Sequence, residues 1–266
     1  MVTHLLTPHP EAALHGINGG SLLQLLLLGP PLVSSNGCWL TEKEGLSRKT
    51  KSLLAYLALH GPAHRNTLMA VFWPEATENQ ANTSLRTAIR RLRSALSGPN
   101  ELQPILFQSE GYYQINPALG CATDVQAFEE HLGKAEHLSD ASVETHLRQA
   151  IQLYRGDFMT GYHDPWIDGW QPRLQLRHLR AMETLARLVL EREEIGEARR
   201  LADRILLTDP AWEGAHQIHI EIHLRLRDRM SALRQYEQLK ASLRQALAVP
   251  PSQSSLELYH QITTAF

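Results

Sequence analysis

Only two cysteines, Cys38 and Cys121, occur in 266 residues. Two thiols are too few for a disulfide framework or a four-ligand zinc site, and their scarcity fits a reducing compartment such as the cytoplasm. No glycine-rich phosphate loop, Gly-x-Ser-x-Gly elbow or His-Glu-x-x-His sequence is present. The usual signatures of nucleotide, serine-hydrolase and zinc-protease chemistry are therefore missing. Long apolar runs are missing too. The greasiest stretch, Leu22–Leu28, is far shorter than a membrane span, lacks a basic lead-in and runs into Gly29-Pro30-Pro31. It reads as a buried strand rather than a signal peptide. A net charge of −2 also excludes a uniformly basic coat.

The charge is unevenly placed. Between Leu46 and Gly98 stand Arg48, Lys49, Lys51, Arg65, Arg86, Arg90, Arg91 and Arg93, opposed by Glu75 and Glu78 alone. That segment carries a local +6 and leaves about −8 for the rest. Such asymmetry suggests one segment that faces nucleic acid and another with a different task.

The basic charge concentrates in Asn79–Leu96, NQANTSLRTAIRRLRSAL, which contains no acidic residue. Read as a helix, it gathers Leu85, Ile89, Leu92 and Leu96 on one face. Thr83, Arg86, Thr87, Arg90, Arg91 and Ser94 then point away, with Arg93 on the flank. A helix of this kind fits a DNA major groove, where guanidinium groups reach phosphates or the O6 and N7 acceptors of guanine. An ordinary solvated helix face is the competing reading, although such faces usually mix charge signs.

Around this stretch the chain predicts a definite order of elements. Residues 1–20 lack periodicity and read as a flexible tail. A strand at Leu22–Leu28 is followed by short returning strands at Leu32-Val33 and Trp39-Leu40. Leu46–Leu59 and Arg65–Trp73 are helical, ended by Gly61-Pro62 and Pro74. After the basic helix and Gly98-Pro99, Ile105–Ile115 forms a hairpin about Ser109-Glu110-Gly111. Three helices and a hairpin, with the third helix basic, make a winged helix-turn-helix. Strand alternation turns one of Tyr112 and Tyr113 outward and the other inward. Arg48, Lys49 and Lys51 on the first helix are weaker phosphate-contact candidates, as is Tyr112 on the wing.

From Asp124 onward the sequence is helical almost throughout. Thr123-Asp124 opens a helix, and Ala198 and Ala232, Arg200 and Arg234, and Ile205 and Leu239 each lie 34 positions apart. Thirty-four is the period of the tetratricopeptide repeat. His216, His219 and His223 share a helical face, but no obvious donor completes a metal set, and packed neutral rings are the simpler reading. No metal or cofactor is expected.

The residues also carry a resemblance. Leu27-Leu28-Gly29-Pro30, Phe72-Trp73-Pro74, Ala81-Asn82 with Leu85-Arg86, Ile89 and Arg91-Leu92-Arg93, and Gly111-Tyr112 resemble the OmpR-type DNA-binding domain of antibiotic-regulatory-protein-like (SARP) bacterial activators. Leu147-Arg148-Gln149-Ala150, Leu153-Tyr154-Arg155-Gly156-Asp157-Phe158, Trp166, Asp209-Pro210 with Glu213, Ala232-Leu233 with Tyr236, and Val249 with Pro251-Ser252 resemble the bacterial transcriptional activator domain. The one departure is Arg227-Asp228-Arg229, where that domain usually places a glycine between helices.

The resemblance implies a mainly α protein: a winged helix over residues 21–119 and an all-α, tetratricopeptide-like domain over 120–266. It implies a cytoplasmic, nucleoid-associated activator, not an enzyme and of the small nucleotide-independent kind. Such a protein binds direct repeats in promoter DNA as a pair of protomers, which leaves a homodimer open, and recruits RNA polymerase. In OmpR-type domains the loop before the third helix faces polymerase, so Glu75 and Glu78 become contact candidates. Their alternative role is to favour the N-terminus of the next helix. The competing class is a helical-repeat adaptor whose basic winged helix does not read DNA.

Overall fold

The structure is a computed structural model that describes residues 23–41, 46–96, 105–137 and 142–264. The expected tail over 1–20, the start of the first strand at Leu22 and the Gly98-Pro99 turn lie outside the described residues. The architecture is mainly α, with a winged helix-turn-helix followed by tetratricopeptide-like helix pairs.

Strands β1 (Leu23–Leu26), β2 (Leu32–Ser35) and β3 (Cys38–Leu40) form an antiparallel meander. Helix α1 (Arg48–His60) begins at Ser47, whose hydroxyl accepts the Thr50 N–H, and stops at Gly61, where φ is 75°. A two-residue strand, β4 (Ala63–His64), leads into α2 (Arg65–Phe72), and α3 (Glu78–Leu96) follows. The start of α3 is a capping box: Gln80 Oε1 accepts from the Thr77 N–H, and the Thr77 hydroxyl accepts from the Gln80 N–H. Leu53, Leu54 and Leu57 of α1, Leu68 and Phe72 of α2, and Leu85, Ile89 and Leu92 of α3 are all buried. Each such side chain contributes roughly 1.5–3 kcal/mol on burial, so the three helices hold one another by their apolar stripes.

The wing is β5 (Leu106–Ser109) and β6 (Tyr112–Ile115), joined by Glu110-Gly111. Both linking residues have positive φ, 49° and 82°, as a two-residue hairpin turn requires. Two features escaped the sequence pattern. Strand β4 pairs with β6 and makes the wing three-stranded. Strand β7 (Cys121–Thr123) pairs in parallel with β1 and closes the N-terminal sheet in the order β3-β2-β1-β7.

Helix α4 (Asp124–His137) starts directly from β7. The Thr123 hydroxyl caps it by accepting the Gln126 N–H. Asp124 turns inward instead, and its two carboxylate oxygens accept the Leu27 and Leu28 N–H groups at 2.6 and 2.9 Å. Burial pushes its pKa up to about 6, against those two hydrogen bonds and the Arg155 guanidinium, which pull it down.

Helices α5 (Ser142–Leu153), α6 (Trp170–Glu191), α7 (Ile195–Thr208), α8 (Glu213–Arg225), α9 (Arg229–Ala246) and α10 (Gln253–Thr264) complete the chain. Beyond Thr123 the described residues contain no strand, only a single bridge between Phe158 and Leu28. Ala198 and Ala232, 34 positions apart, are both fully buried, as are Ile205 and Leu239. Helices α7 and α9 also begin 34 positions apart, but α9 runs on for four more residues than α7 (18 against 14). At the expected glycine position the chain has Arg227 with φ 56°, so the glycine-type turn is kept without a glycine.

Contacts divide the chain into two compact units that do not follow chain order. One runs through Lys134 and takes back Gln152–Gln175; the other holds Ala135–Ile151 and Leu176–Phe266. The boundary read at residue 119/120 follows the sequence, whereas β7, Asp124 and the returning loop belong by their contacts with the winged helix.

Candidate nucleic-acid interface

Helix α3 separates its two faces cleanly. Ala81, Leu85, Ala88, Ile89, Leu92 and Leu96 are buried, while Thr83, Arg86, Arg90, Arg91 and Ser94 are exposed and Thr87 is half-buried. The Thr83 and Thr87 hydroxyls donate back to the carbonyls of Asn79 and Thr83, and a hydroxyl oxygen that donates keeps lone pairs able to accept. The exposed face offers three guanidinium groups among hydroxyls, with no carboxylate inside it.

The other predicted cations are differently placed. Arg93 lies against the wing: Nη2 donates to the Leu106 carbonyl at 3.1 Å, and Nε is buried with no hydrogen-bond partner among the described residues. Its flank position on the helix puts it over the core edge, so it braces β5 rather than joining the exposed face. Arg48 donates to the Gly161 carbonyl and lies over the Tyr162 ring, 4.6 Å from its centroid. Lys49 pairs with Asp164 at 2.9 Å, and the same carboxylate accepts from Ser52 Oγ at 2.5 Å. Trp166 Nε1 donates to Ser52 Oγ at 3.1 Å and stands edge-on to Tyr56. Thus the loop 161–166 engages two of the three α1 cations, a long-range arrangement with no local signal. Lys51 is half-buried on the same helix.

On the wing, Tyr113 is buried at 5 % and Tyr112 is 49 % exposed, the split that strand alternation requires. Glu75 and Glu78 are both exposed, before and at the first residue of α3. The sequence pattern singles out neither His64 nor the tie from Arg65 to the wing. The Arg65 N–H donates to the Gly111 carbonyl at 2.8 Å, so the start of α2 is tied to the wing tip. A lone histidine before a short helix gives no pattern that would have found this.

In the helical unit the three histidines have separate partners. His216 meets the Pro210 carbonyl and Gln235, His219 meets Asp203 at 3.0 Å, and His223 stands 3.9 Å from Asp228. Burial holds all three below the usual imidazole pKa. No group of potential metal donors forms among the described residues, and no helix there is long and apolar enough to cross a membrane.

Residues 123–263, more than half of the chain, match the bacterial transcriptional activator domain. The chain belongs to that family. The regulatory protein AfsR of Streptomyces coelicolor is 26 % identical over 227 residues, covering 82 % of this chain and 22 % of the relative. Among solved structures, Mycobacterium tuberculosis EmbR in complex with a low-affinity phosphopeptide superposes with a TM-score of 0.77 at 18 % identity. That match covers 92 % of this chain and 65 % of the other. The chain thus spans under a quarter of the curated relative and just under two thirds of the solved one. The family match gives the chain a bacterial transcriptional activator domain, and the structural match gives it the fold of EmbR over the 92 % that superposes.

Proposed function

We propose that this activator-family regulator binds promoter direct repeats through α3 and the wing, and recruits RNA polymerase. The observation that carries the reading is the acid-free exposed face of α3, with Arg86, Arg90 and Arg91 beside Thr83, Thr87 and Ser94. A helix whose opposite face is locked in the core presents those guanidinium groups at fixed spacing, as groove recognition needs. Each arginine that reads a base contributes about 1–3 kcal/mol of discrimination. Lys51 and Tyr112 supply flanking backbone contacts. Arg48 and Lys49 contribute only if they exchange the Gly161 carbonyl and Asp164 for phosphates. The exposed Glu75 and Glu78 form the polymerase-facing edge.

Selection of bound duplexes from a random pool tests the DNA part. Recovery of a direct repeat supports it, and the spacing of the half-sites gives the arrangement of protomers. Absence of any enriched sequence contradicts it and favours a protein-binding adaptor. Transcription in a reconstituted system tests the polymerase part. Glu75→Ala with Glu78→Ala should keep DNA affinity and lose activation.

A further inference from the structure

His64 is fixed on three sides. Its Nδ1 accepts the Asn66 N–H at 3.2 Å, which caps α2. Its ring lies beneath Gly111, so closely that a Cβ there would come within 2.9 Å of Nε2. The ring also stands edge-on to the exposed Tyr112, with centroids 5.1 Å apart and planes at 69°. Strand pairing sets the same geometry, since His64 is the direct partner of Tyr112.

The third strand of the wing, β4, is only two residues long and adds little stability to the tip by pairing alone, and an exposed tyrosine there loses side-chain freedom when it docks. Here the tip rests on an imidazole, and Gly111, with φ 82°, is the residue type that fits both that approach and that backbone. The imidazole is itself anchored through the start of α2, which packs on α3. The ring therefore fixes the height of the wing and the direction of Tyr112 against the α3 face.

We propose that His64 is a positioning residue for the DNA interface: its ring, beneath Gly111 and edge-on to Tyr112, holds the wing tip in the orientation that meets the duplex. This rests on the DNA-binding reading above. His64 itself touches no DNA; it acts through Tyr112.

The test uses the full chain and the duplex that it enriches from a random pool. His64→Asn keeps a good cap for α2 and removes the ring, so the fold is retained, as thermal unfolding will show. Loss of the edge-on contact predicts about a two- to tenfold weaker affinity. Tyr112→Ala should weaken binding similarly, the double variant should lose nothing further, and protection should vanish at flanking sugars while remaining over the α3 site. Unchanged affinity in His64→Asn, or losses that multiply in the double variant, would overturn the proposal. Arg90→Ala separates this from failure of the DNA reading itself, because it must weaken binding whatever His64 does. NMR couplings of Tyr112 in the free protein read the brace without DNA. They should report one rotamer in the wild type and averaging in His64→Asn; an unaveraged ring in the variant also overturns the proposal.

Discussion

Glu193 and Arg227 stand one repeat apart and share a left-handed backbone, with φ of 63° and 56°. Each closes a helix in the same way. The Glu194 and Asp228 N–H groups reach back to Val189 and His223, and those of Glu193 and Arg227 to Leu190 and Leu224. These are paired Schellman turns, where glycine is the usual occupant. A left-handed L-residue costs roughly 1–2 kcal/mol, and glycine returns about 0.4–1 of that through a freer unfolded chain. Arg227→Gly should therefore raise stability by about 0.5–1 kcal/mol in denaturant titration, and Glu193→Gly by a similar amount. A loss of stability would show that the Arg227 side chain holds more than its backbone costs.

The buried Asp124 makes stability depend on pH in an unusual direction. Its folded pKa of about 6 exceeds the ordinary aspartate value of 3.8. Between these values the folded chain holds a proton that the unfolded chain releases, so stability falls as pH rises through the window. The contribution is complete below about pH 4 and lost above about pH 6, with a total of about 3 kcal/mol. The stability gap between wild type and Asp124→Asn should shrink by that order from pH 4 to pH 7, measured by chemical unfolding. A gap that widens instead would mean that Arg155 keeps the carboxylate ionised throughout.

At the wing, Gly111→Ala meets both a left-handed φ and the His64 ring. The expected cost is about 1–3 kcal/mol, read as a lowered melting temperature. Ser109→Ala, at the exposed end of β5 just before the turn, should cost less than about 0.5 kcal/mol. Equal effects would show that the turn relaxes freely.

The division of the chain also makes a prediction. A fragment ending at residue 119 lacks β7, Asp124 and the loop that brings Phe158 and Trp166 to the winged helix. It should melt well below a fragment ending at residue 175, because the Leu27 and Leu28 N–H groups lose their acceptors at about 1–3 kcal/mol each when they stay buried. Equal melting temperatures would place the folding boundary where chain order suggests.

The contrast between legible and illegible features is physical. The faces of α3 and the opposite settings of Tyr112 and Tyr113 follow from periods of 3.6 and 2, and the wing turn from the signal at Ser109-Glu110-Gly111, all local properties of the sequence. The place of the turn at Arg227 comes from the family resemblance, which expects a glycine there, whereas the left-handed backbone kept without one has no signal in the sequence. By contrast, β4 and β7 are two and three residues long, too short for any period. The engagement of Lys49 by Asp164 spans 115 positions, and that of Leu27 by Asp124 spans 97. Such pairings are decided by where the folded chain returns. Hence Arg48, Lys49 and Arg93 are DNA-contact candidates in the sequence, and the fold also gives each a partner within the chain.

The central claim, that the exposed α3 arginines engage a nucleic-acid backbone and its bases, is tested most directly by the salt dependence of duplex affinity. The logarithm of affinity should fall steeply with the logarithm of salt concentration, by about 0.9 for each phosphate neutralised. Arg90→Ala and Arg91→Ala should each either flatten that slope by about one or relax preference at one base position. A slope near zero, or one that neither substitution alters while sequence preference also stays unchanged, would contradict the account.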